Sequence, residues 1–291
     1  MKETKTNQFI QHTLADPNAV LLNKIKKMKW TSHNIPLTLS ETTLDNQPLI
    51  EHDPRTRVIK DNVYGLASKG SSLAGLRLID LGCLEGGLSF EMAREDMEVV
   101  GVEGWEPNYL KCQLIAEYFN LPNLRFYHLD VKNLNSNTYG LFDVVLCCGL
   151  LYHLDDPVRF FKTLNAITHD TSIVFLDTHI APSDAQLSAC FAKAALSGIT
   201  SYQSEGKRYE GRWYKEYEQG LISQHEWTSV SNANSFWLTQ TALFKALYHA
   251  GFKHIYNLYG AFEIEHEFEL RQQQSRVYCI AVKDGYFEKF R

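Results

Sequence analysis

Between residues 72 and 180 the chain alternates short β-branched apolar runs with stretches of helical spacing. The runs at 76–80, 98–103, 124–129, 142–148 and 172–178 predict strands, and the segments 87–95, 107–119 and 156–168 predict helices. Pro107 and Pro157 fall at first-turn positions, each preceded by an acid that suits a helix N-terminus. Short connections and strands rich in Val, Ile and Leu predict a parallel sheet with helices on both faces.

The flanks read differently. In residues 1–70, Asp16-Pro17 reads as a helix start, followed by Ala19, Val20, Leu22 and Ile25 at roughly helical spacing. Trp30 to Leu49 is irregular, and Arg55 to Ala67 predicts a second helix. After Ile180 the alternation breaks into helix-prone alanines and then an aromatic, charged stretch from Tyr202 to Trp227. It resumes with a helix at 239–250, closed by Gly251, and strands near 252–258 and 276–282. Antiparallel pairing of these two would end the sheet in a hairpin. The expected organisation is an N-terminal helical extension (1–70) and a main domain (71–291). An insertion at 181–236 would stand over the carboxyl edge of the sheet as a lid.

Charge and cysteine usage narrow the class. The formal net charge is −5, from 29 basic and 34 acidic residues, which argues against nucleic acid as a partner. The basic run Lys24-Ile25-Lys26-Lys27-Met28-Lys29 reads as the solvated face of a helix. The six cysteines form no Cys-x-x-Cys pair, and Cys147-Cys148 lies inside an apolar strand, so they read as small apolar side chains in a reducing compartment. The first residues lack a signal-peptide core and no apolar run reaches membrane-spanning length, so a cytoplasmic protein without membrane attachment is expected. Either a monomer or a homodimer fits.

Candidate chemistry begins at Asp80-Leu81-Gly82-Cys83-Leu84-Glu85-Gly86-Gly87, where an apolar strand ends in an acid and enters a glycine-rich turn before a helix. Such a unit is shaped to hold a small charged ligand against exposed backbone amides. Glu103 and Asp130 close the next two strands. Three acids at three consecutive strand ends fit a nucleoside-type cofactor along the carboxyl edge. A dinucleotide site requires Gly-x-Gly-x-x-Gly, whereas here the second glycine position holds Leu84 and Glu85 follows. A leucine side chain and a carboxylate suit two phosphates badly. They suit better a ligand with an ammonium and a sulfonium, with Glu103 on the ribose hydroxyls, Asp130 on the adenine amino group and the Val131 amide on the ring. The reading favours S-adenosylmethionine.

The run 80–86 resembles motif I of class I S-adenosylmethionine-dependent methyltransferases, and Phe142 to Leu154 resembles their fourth-strand motif. Ser235-Phe236-Trp237-Leu238-Thr239, the helix ending Ala250-Gly251-Phe252, and Trp30 to Leu37 are similar to segments of a bacterial small-molecule and natural-product O-methyltransferase subgroup. The resemblance implies an α/β, Rossmann-like seven-stranded sheet with its last strand antiparallel. Position by position it implies that Gly82 and Gly86 frame the methionine moiety, with Asp80, Cys83 and Glu85 beside them. Glu103 and Gly104 fall on the ribose, Asp130 and Val131 on the adenine, and Cys148, Gly149 and Leu150 on the methionine and ribose side. Trp105 is either a stacking partner of the adenine or a half-buried surface aromatic. Leu84 departs from the pattern, since many relatives carry glycine there.

For the acceptor, a carboxylate needs no base, whereas a hydroxyl usually needs one, most often histidine. Tyr152-His153 follows the fourth strand and His179 ends the fifth, so Tyr152, His153 and His179 are the catalytic candidates. A strand-end histidine can equally be a structural hydrogen-bonder. His153, Asp155, Asp156, Asp177 and His179 have metal-ligand chemistry, but Asp155 and Asp156 precede Pro157 and are explained by helix capping, so no metal is expected. In the insertion, Arg212 beside Gly211 reads as a carboxylate anchor, with Trp213, Tyr214 and Trp237 covering an apolar body; the alternative, and the leading one for most of these side chains, is that they pack the lid onto the core. His225 and Trp227 are further pocket candidates. The expected activity is O-methylation of a carboxylate or hydroxyl on a small metabolite or short modified peptide. The alternatives are a tRNA wobble-uridine carboxymethyltransferase-like enzyme and a non-catalytic cofactor-binding module.

Overall fold

A computed structural model describes residues 4–68, 72–217, 227–258 and 275–290. The chain begins with α1 (Lys5–Ala15), α2 (Ala19–Lys26) and α3 (Pro54–Ala67). The alternating region follows as β1 (Arg77–Leu81), α4 (Gly87–Ala93), β2 (Glu98–Glu103), α5 (Glu106–Phe119), β3 (Leu124–His128), α6 (Ser136–Tyr139), β4 (Phe142–Cys148), α7 (Pro157–Ala166) and β5 (Thr168–His179). Then come α8 (Asp184–Leu187), β6 (Thr200–Ser204), β7 (Lys207–Lys215), β8 (Asn234–Leu238), α9 (Gln240–Ala250), β9 (His254–Asn257) and β10 (Arg276–Val282).

Seven strands form one mixed sheet in the order β3–β2–β1–β4–β5–β10–β9. β2 runs parallel to β1 and β3, whereas β10 is antiparallel to both β5 and β9. This is the expected Rossmann-like sheet with its last strand reversed. The chain divides into two compact units, Met1–Val131 with Phe142–Val144, and Lys132–Leu141 with Val145–Arg291.

The first unit is built on β1, β2 and β3 with α4 and α5, around a core that includes Ile79, Leu81, Phe90, Ile115 and Phe119. α5 starts where Pro107 occupies the first turn and stops at Asn120, whose φ of 49° is left-handed. In the extension, Asp53 caps α3 by accepting from the Thr56 amide, with Pro54 in the first turn. The helix start read at Asp16-Pro17 lies slightly further on. Asn18 is the cap of α2, accepting from the Val20 and Leu21 amides, because its amide side chain reaches both donors.

In the second unit Asp156 caps α7 through the Arg159 amide, and Thr239 caps α9 through the Ala242 amide. The insertion departs from expectation. Among the described residues its alanine-rich start yields only the four-residue α8, and β6 and β7 join β8 in a separate antiparallel sheet. The β6–β7 connection is a two-residue turn, Glu205-Gly206, with φ of 53° and 73°, the left-handed pair that a tight hairpin requires. His225 lies outside the described residues. Among the described residues no helix is long and apolar enough to cross a membrane.

Candidate active site

In the first unit the glycine turn sits between β1 and α4. Asp80 is 3% exposed and accepts from the Ser89 hydroxyl at 2.7 Å, which ties the strand end to the first turn of α4. Burial pushes its carboxyl up to about 6. Gly86 adopts φ 76°, and a Cβ there would lie 2.8 Å from the Phe126 ring and 3.1 Å from Cys112 Sγ, so only glycine fits. Leu84, the residue that departs from the family pattern, takes φ 55°, a left-handed conformation that glycine adopts freely.

The amides of this turn are turned inward. Gly82 and Cys83 donate to Val102 O, Leu84 to Glu103 Oε2, Gly86 to Cys83 O and Gly87 to His33 Nδ1. The expectation of a turn offering exposed amides to a charged ligand is therefore corrected. The same pattern engages five of the amides on which a pyrophosphate would draw.

Glu85 is likewise not available to a ligand ammonium. It is fully buried, and its carboxylate accepts from the Thr31, Ser32 and His33 amides and from Lys111 Nζ, all at 2.8–3.0 Å. Burial opposes its ionised form, but these donors outweigh it and hold the carboxyl below its usual value. His33, which sequence reasoning did not single out, is 6% exposed, and burial lowers its imidazole to about 4, so it stands as a neutral acceptor for Gly87.

Glu103 closes β2 with its carboxylate 7% exposed, accepting from Leu84 and Trp105 amides at 2.8 Å each, and burial raises it to about 7. Gly104 and Trp105 are half-buried, and Trp105 precedes α5. Asp130 is half-buried after β3, and the buried Val131 begins a short 3-10 turn. Cys83 is buried, its Sγ 3.9 Å from Cys112 Sγ, and none of the six cysteines is in a disulfide.

In the second unit β4 ends at the half-buried Cys148. Gly149 follows with φ 86° and donates to Asp177 O at 2.8 Å, and Leu150 leads into the 3-10 turn Leu151–His153. His153 Nδ1 lies 3.0 Å from both carboxylate oxygens of Glu216. Glu216 is itself fixed by the Ser235 hydroxyl (2.7 Å) and the Ser229 amide (3.3 Å). A carboxylate on Nδ1 selects the tautomer with the proton there, leaving Nε2 as the basic nitrogen. Glu216 was not legible in the sequence, since it lies far from His153 along the chain with no motif around it.

His179 is placed by stacking. Its ring lies 5.1 Å from the Trp237 indole at 11°, and Tyr214 stacks on the same indole at 4.8 Å and 20°. Trp237 donates Nε1 to Tyr152 O at 2.9 Å, and the Tyr152 ring packs edge-on to His179. Arg276, opposite His179 across β10–β5, binds Asp177 through Nε (2.5 Å) and Nη2 (2.9 Å) and brings Nη1 to 3.5 Å from His179 Nε2. The acids with metal-ligand chemistry are engaged by other partners: Asp177 with Arg276, Asp156 as a cap, and Asp155 with Lys132.

Arg212 is repositioned by the structure. It is fully buried, with Nε on Pro182 O (2.9 Å), Nη1 on Ser197 O (2.8 Å) and Nη2 on Asp184 (2.5 Å). Its donors tie the 182–197 segment to β7, which revises its reading as a carboxylate anchor. The adjacent Gly211 makes room for β8 and not for a ligand, since a Cβ there would lie 2.2 Å from Trp237 O. Trp213 is half-buried, edge-on to Phe236 at 5.0 Å.

Residues 72–234, more than half of the chain, match the family described as a methyltransferase domain. The chain belongs to that family. Among curated relatives, the ubiquinone biosynthesis O-methyltransferase of Psychrobacter cryohalolentis is 33% identical over 144 residues, 49% of this chain and 55% of that protein. The chain thus spans about half the length of the curated relatives it matches. Among solved structures, the N-terminal domain of EvdMO1 with S-adenosylhomocysteine bound superposes with a TM-score of 0.61 at 22% identity, covering 97% of this chain and 99% of that one. The magnesium protoporphyrin IX methyltransferase of Synechocystis, also solved with S-adenosylhomocysteine, gives a TM-score of 0.50 at 16% identity over 95% and 99%. At these identities the likeness is one of fold.

Proposed function

We propose that this chain is an S-adenosylmethionine-dependent methyltransferase of class I that methylates a hydroxyl oxygen of a small molecule. The observation that carries the hydroxyl reading is His153 held on Glu216. A carboxylate acceptor would need no such base, and Arg212, the residue expected to anchor one, is engaged inside the fold.

The residues of the first unit fit an adenosyl cofactor. Glu103 keeps lone pairs beyond the backbone amides it accepts, which suits a ribose diol, and the turn 82–87 spends five of its amides inside the protein, which suits phosphates badly. Asp130 and Val131 fall to the adenine. Bound S-adenosylmethionine supplies a methyl group on a sulfonium, open to in-line displacement by an oxygen nucleophile. The chain's part is then to align the acceptor and to take its proton. His153 Nε2 receives that proton while Glu216 stabilises the resulting imidazolium through Nδ1–H, the division of labour known from histidine–carboxylate pairs. His179, fixed against Trp237 and Tyr152, orients the acceptor through its ring. Residues 71–291 form the catalytic domain in this reading, with 181–236 selecting the acceptor and 1–70 an extension. The relatives named as O-methyltransferases support oxygen as the acceptor atom.

The test is transfer of label from methyl-labelled S-adenosylmethionine to a panel of phenols, alcohols and carboxylic acids. Label on a hydroxyl compound, lost in His153→Ala, is expected. Label on carboxylic acids alone would overturn the hydroxyl reading.

A further inference from the structure

Residues 31–33 belong to no helix or strand, yet they are joined to the glycine turn by a set of hydrogen bonds. Glu85 accepts three consecutive amides, Thr31 (2.8 Å), Ser32 (3.0 Å) and His33 (2.9 Å), and also Lys111 Nζ (2.8 Å). His33 returns the contact, its Nδ1 accepting from Gly87 N at 2.9 Å. A Cβ on Gly87 would lie 2.8 Å from the His33 ring, so the two segments are in van der Waals contact as well. Lys111 is held in turn by Asn108 Oδ1 and is 3% exposed, so every charge in the set is paired away from water.

We propose that His33 and Glu85 are positioning residues of the cofactor site: they lock the turn 82–87 in the shape that aligns Glu103. The inference rests on the cofactor assignment above. Its physical basis is Leu84. A leucine at φ 55° holds a conformation disfavoured for L residues, and such a residue stays there only when its surroundings over-determine it. On one side Leu84 N donates to Glu103 Oε2 and Leu84 O accepts from Cys112 Sγ. On the other side stands Glu85, anchored to 31–33, and beyond it Gly87, anchored to His33. Release of that anchor lets Leu84 relax toward negative φ and withdraws its N–H from Glu103. The carboxylate that receives the ribose then loses one of the backbone amides that aim it. The N-terminal segment thereby acts on the cofactor through three linked contacts without touching it.

The experiment is calorimetric binding of S-adenosylhomocysteine to the full chain and to His33→Ala, His33→Asn, Glu85→Gln and Asn18→Ala. His33→Ala weakens binding by about tenfold, the value of one lost buried hydrogen bond. His33→Asn, whose Oδ1 can accept from Gly87, restores most of it. Asn18→Ala removes the cap of α2 and lowers the melting temperature, but leaves the dissociation constant unchanged. Glu85→Gln keeps the side-chain volume but offers one accepting oxygen, and it weakens binding similarly, giving a second arm should His33→Ala fail to fold. An unchanged constant in both His33→Ala and Glu85→Gln, or affinity that follows melting temperature across all four variants, overturns the proposal alone. No binding by the unaltered chain overturns the cofactor assignment as well.

Discussion

His153 and Glu216 lie 63 positions apart in the chain and meet with Nδ1 3.0 Å from each carboxylate oxygen. The pair is set between the turn after β4 and the end of β7, and Asn232 Nδ2 donates to His153 O at 3.1 Å from the β8 side. Removing the imidazole in His153→Ala is expected to lower kcat by about 10²–10⁴-fold with cofactor affinity unchanged. Glu216→Gln is the sharper test. An amide can present an N–H to Nδ1 and leave the proton on Nε2, so a loss of about tenfold or more is expected from a side chain of nearly the same shape. Initial rates at saturating cofactor decide both.

Glu103 makes cofactor binding depend on pH. Burial raises its carboxyl to about 7, and ribose hydroxyls donate best to the ionised form. Affinity for S-adenosylhomocysteine is therefore expected to rise as pH increases from 6 to 8, with proton release on binding near and below pH 7. Calorimetry in two buffers of different ionisation enthalpy measures that proton. The sign for stability is opposite, since between the unfolded value of 4.5 and about 7 the folded chain binds the extra proton and stability falls as pH rises.

His33 contributes in the other direction. Its folded value of about 4 lies below the unfolded 6.5, so its contribution is complete above pH 6.5 and is lost as pH falls toward 4. Glu85, Arg55, Asp53 and Lys111 are the charges that act on it. The slope of stability against pH in that window is expected to be steeper in the unaltered chain than in His33→Asn, measured by urea unfolding at half-unit intervals.

The strand-end acids were legible because the information is local. A β-period run that stops at Asp80, Glu103 or Asp130 marks both the element and its carboxyl end. The partners of those acids were not. Glu85 stands in the motif like a ligand group, and only the fold of residues 31–33 reveals that it caps a distant backbone. Arg212 misled for the same reason, since Gly-Arg-Trp reads as an open anchor until cross-strand pairing with Trp237 buries it. The β6–β7 hairpin did have a signal in Glu205-Gly206, outweighed by the surrounding aromatic and charged residues.

Arg212→Ala is accordingly expected to act on stability. It strands the carbonyls of Pro182 and Ser197 and opens a cavity, at a cost of about 2–4 kcal/mol. Thermal unfolding is expected to shift down while the KM for the acceptor stays within about twofold, as for a residue outside the pocket.

Two substitutions in the glycine turn separate strain from fit. Gly86→Ala places a methyl group 2.8 Å from the Phe126 ring at φ 76° and is expected to cost about 2 kcal/mol or more. Leu84→Gly relieves a left-handed leucine worth about 1 kcal/mol, offset by the greater freedom of glycine in the unfolded chain, so its melting temperature is expected to stay near that of the parent. Differential scanning calorimetry of the two side by side checks the contrast.

The match to the methyltransferase family begins at residue 72, but the carboxylate of Glu85 is hydrogen-bonded by amides from residues 31–33. Excising the domain at the family boundary would leave Lys111 as the partner of a carboxylate sealed beneath the turn. A graft or chimera that carries this Glu85-bearing turn must import the strand of chain that satisfies it, and natural recombination at that border would face the same constraint.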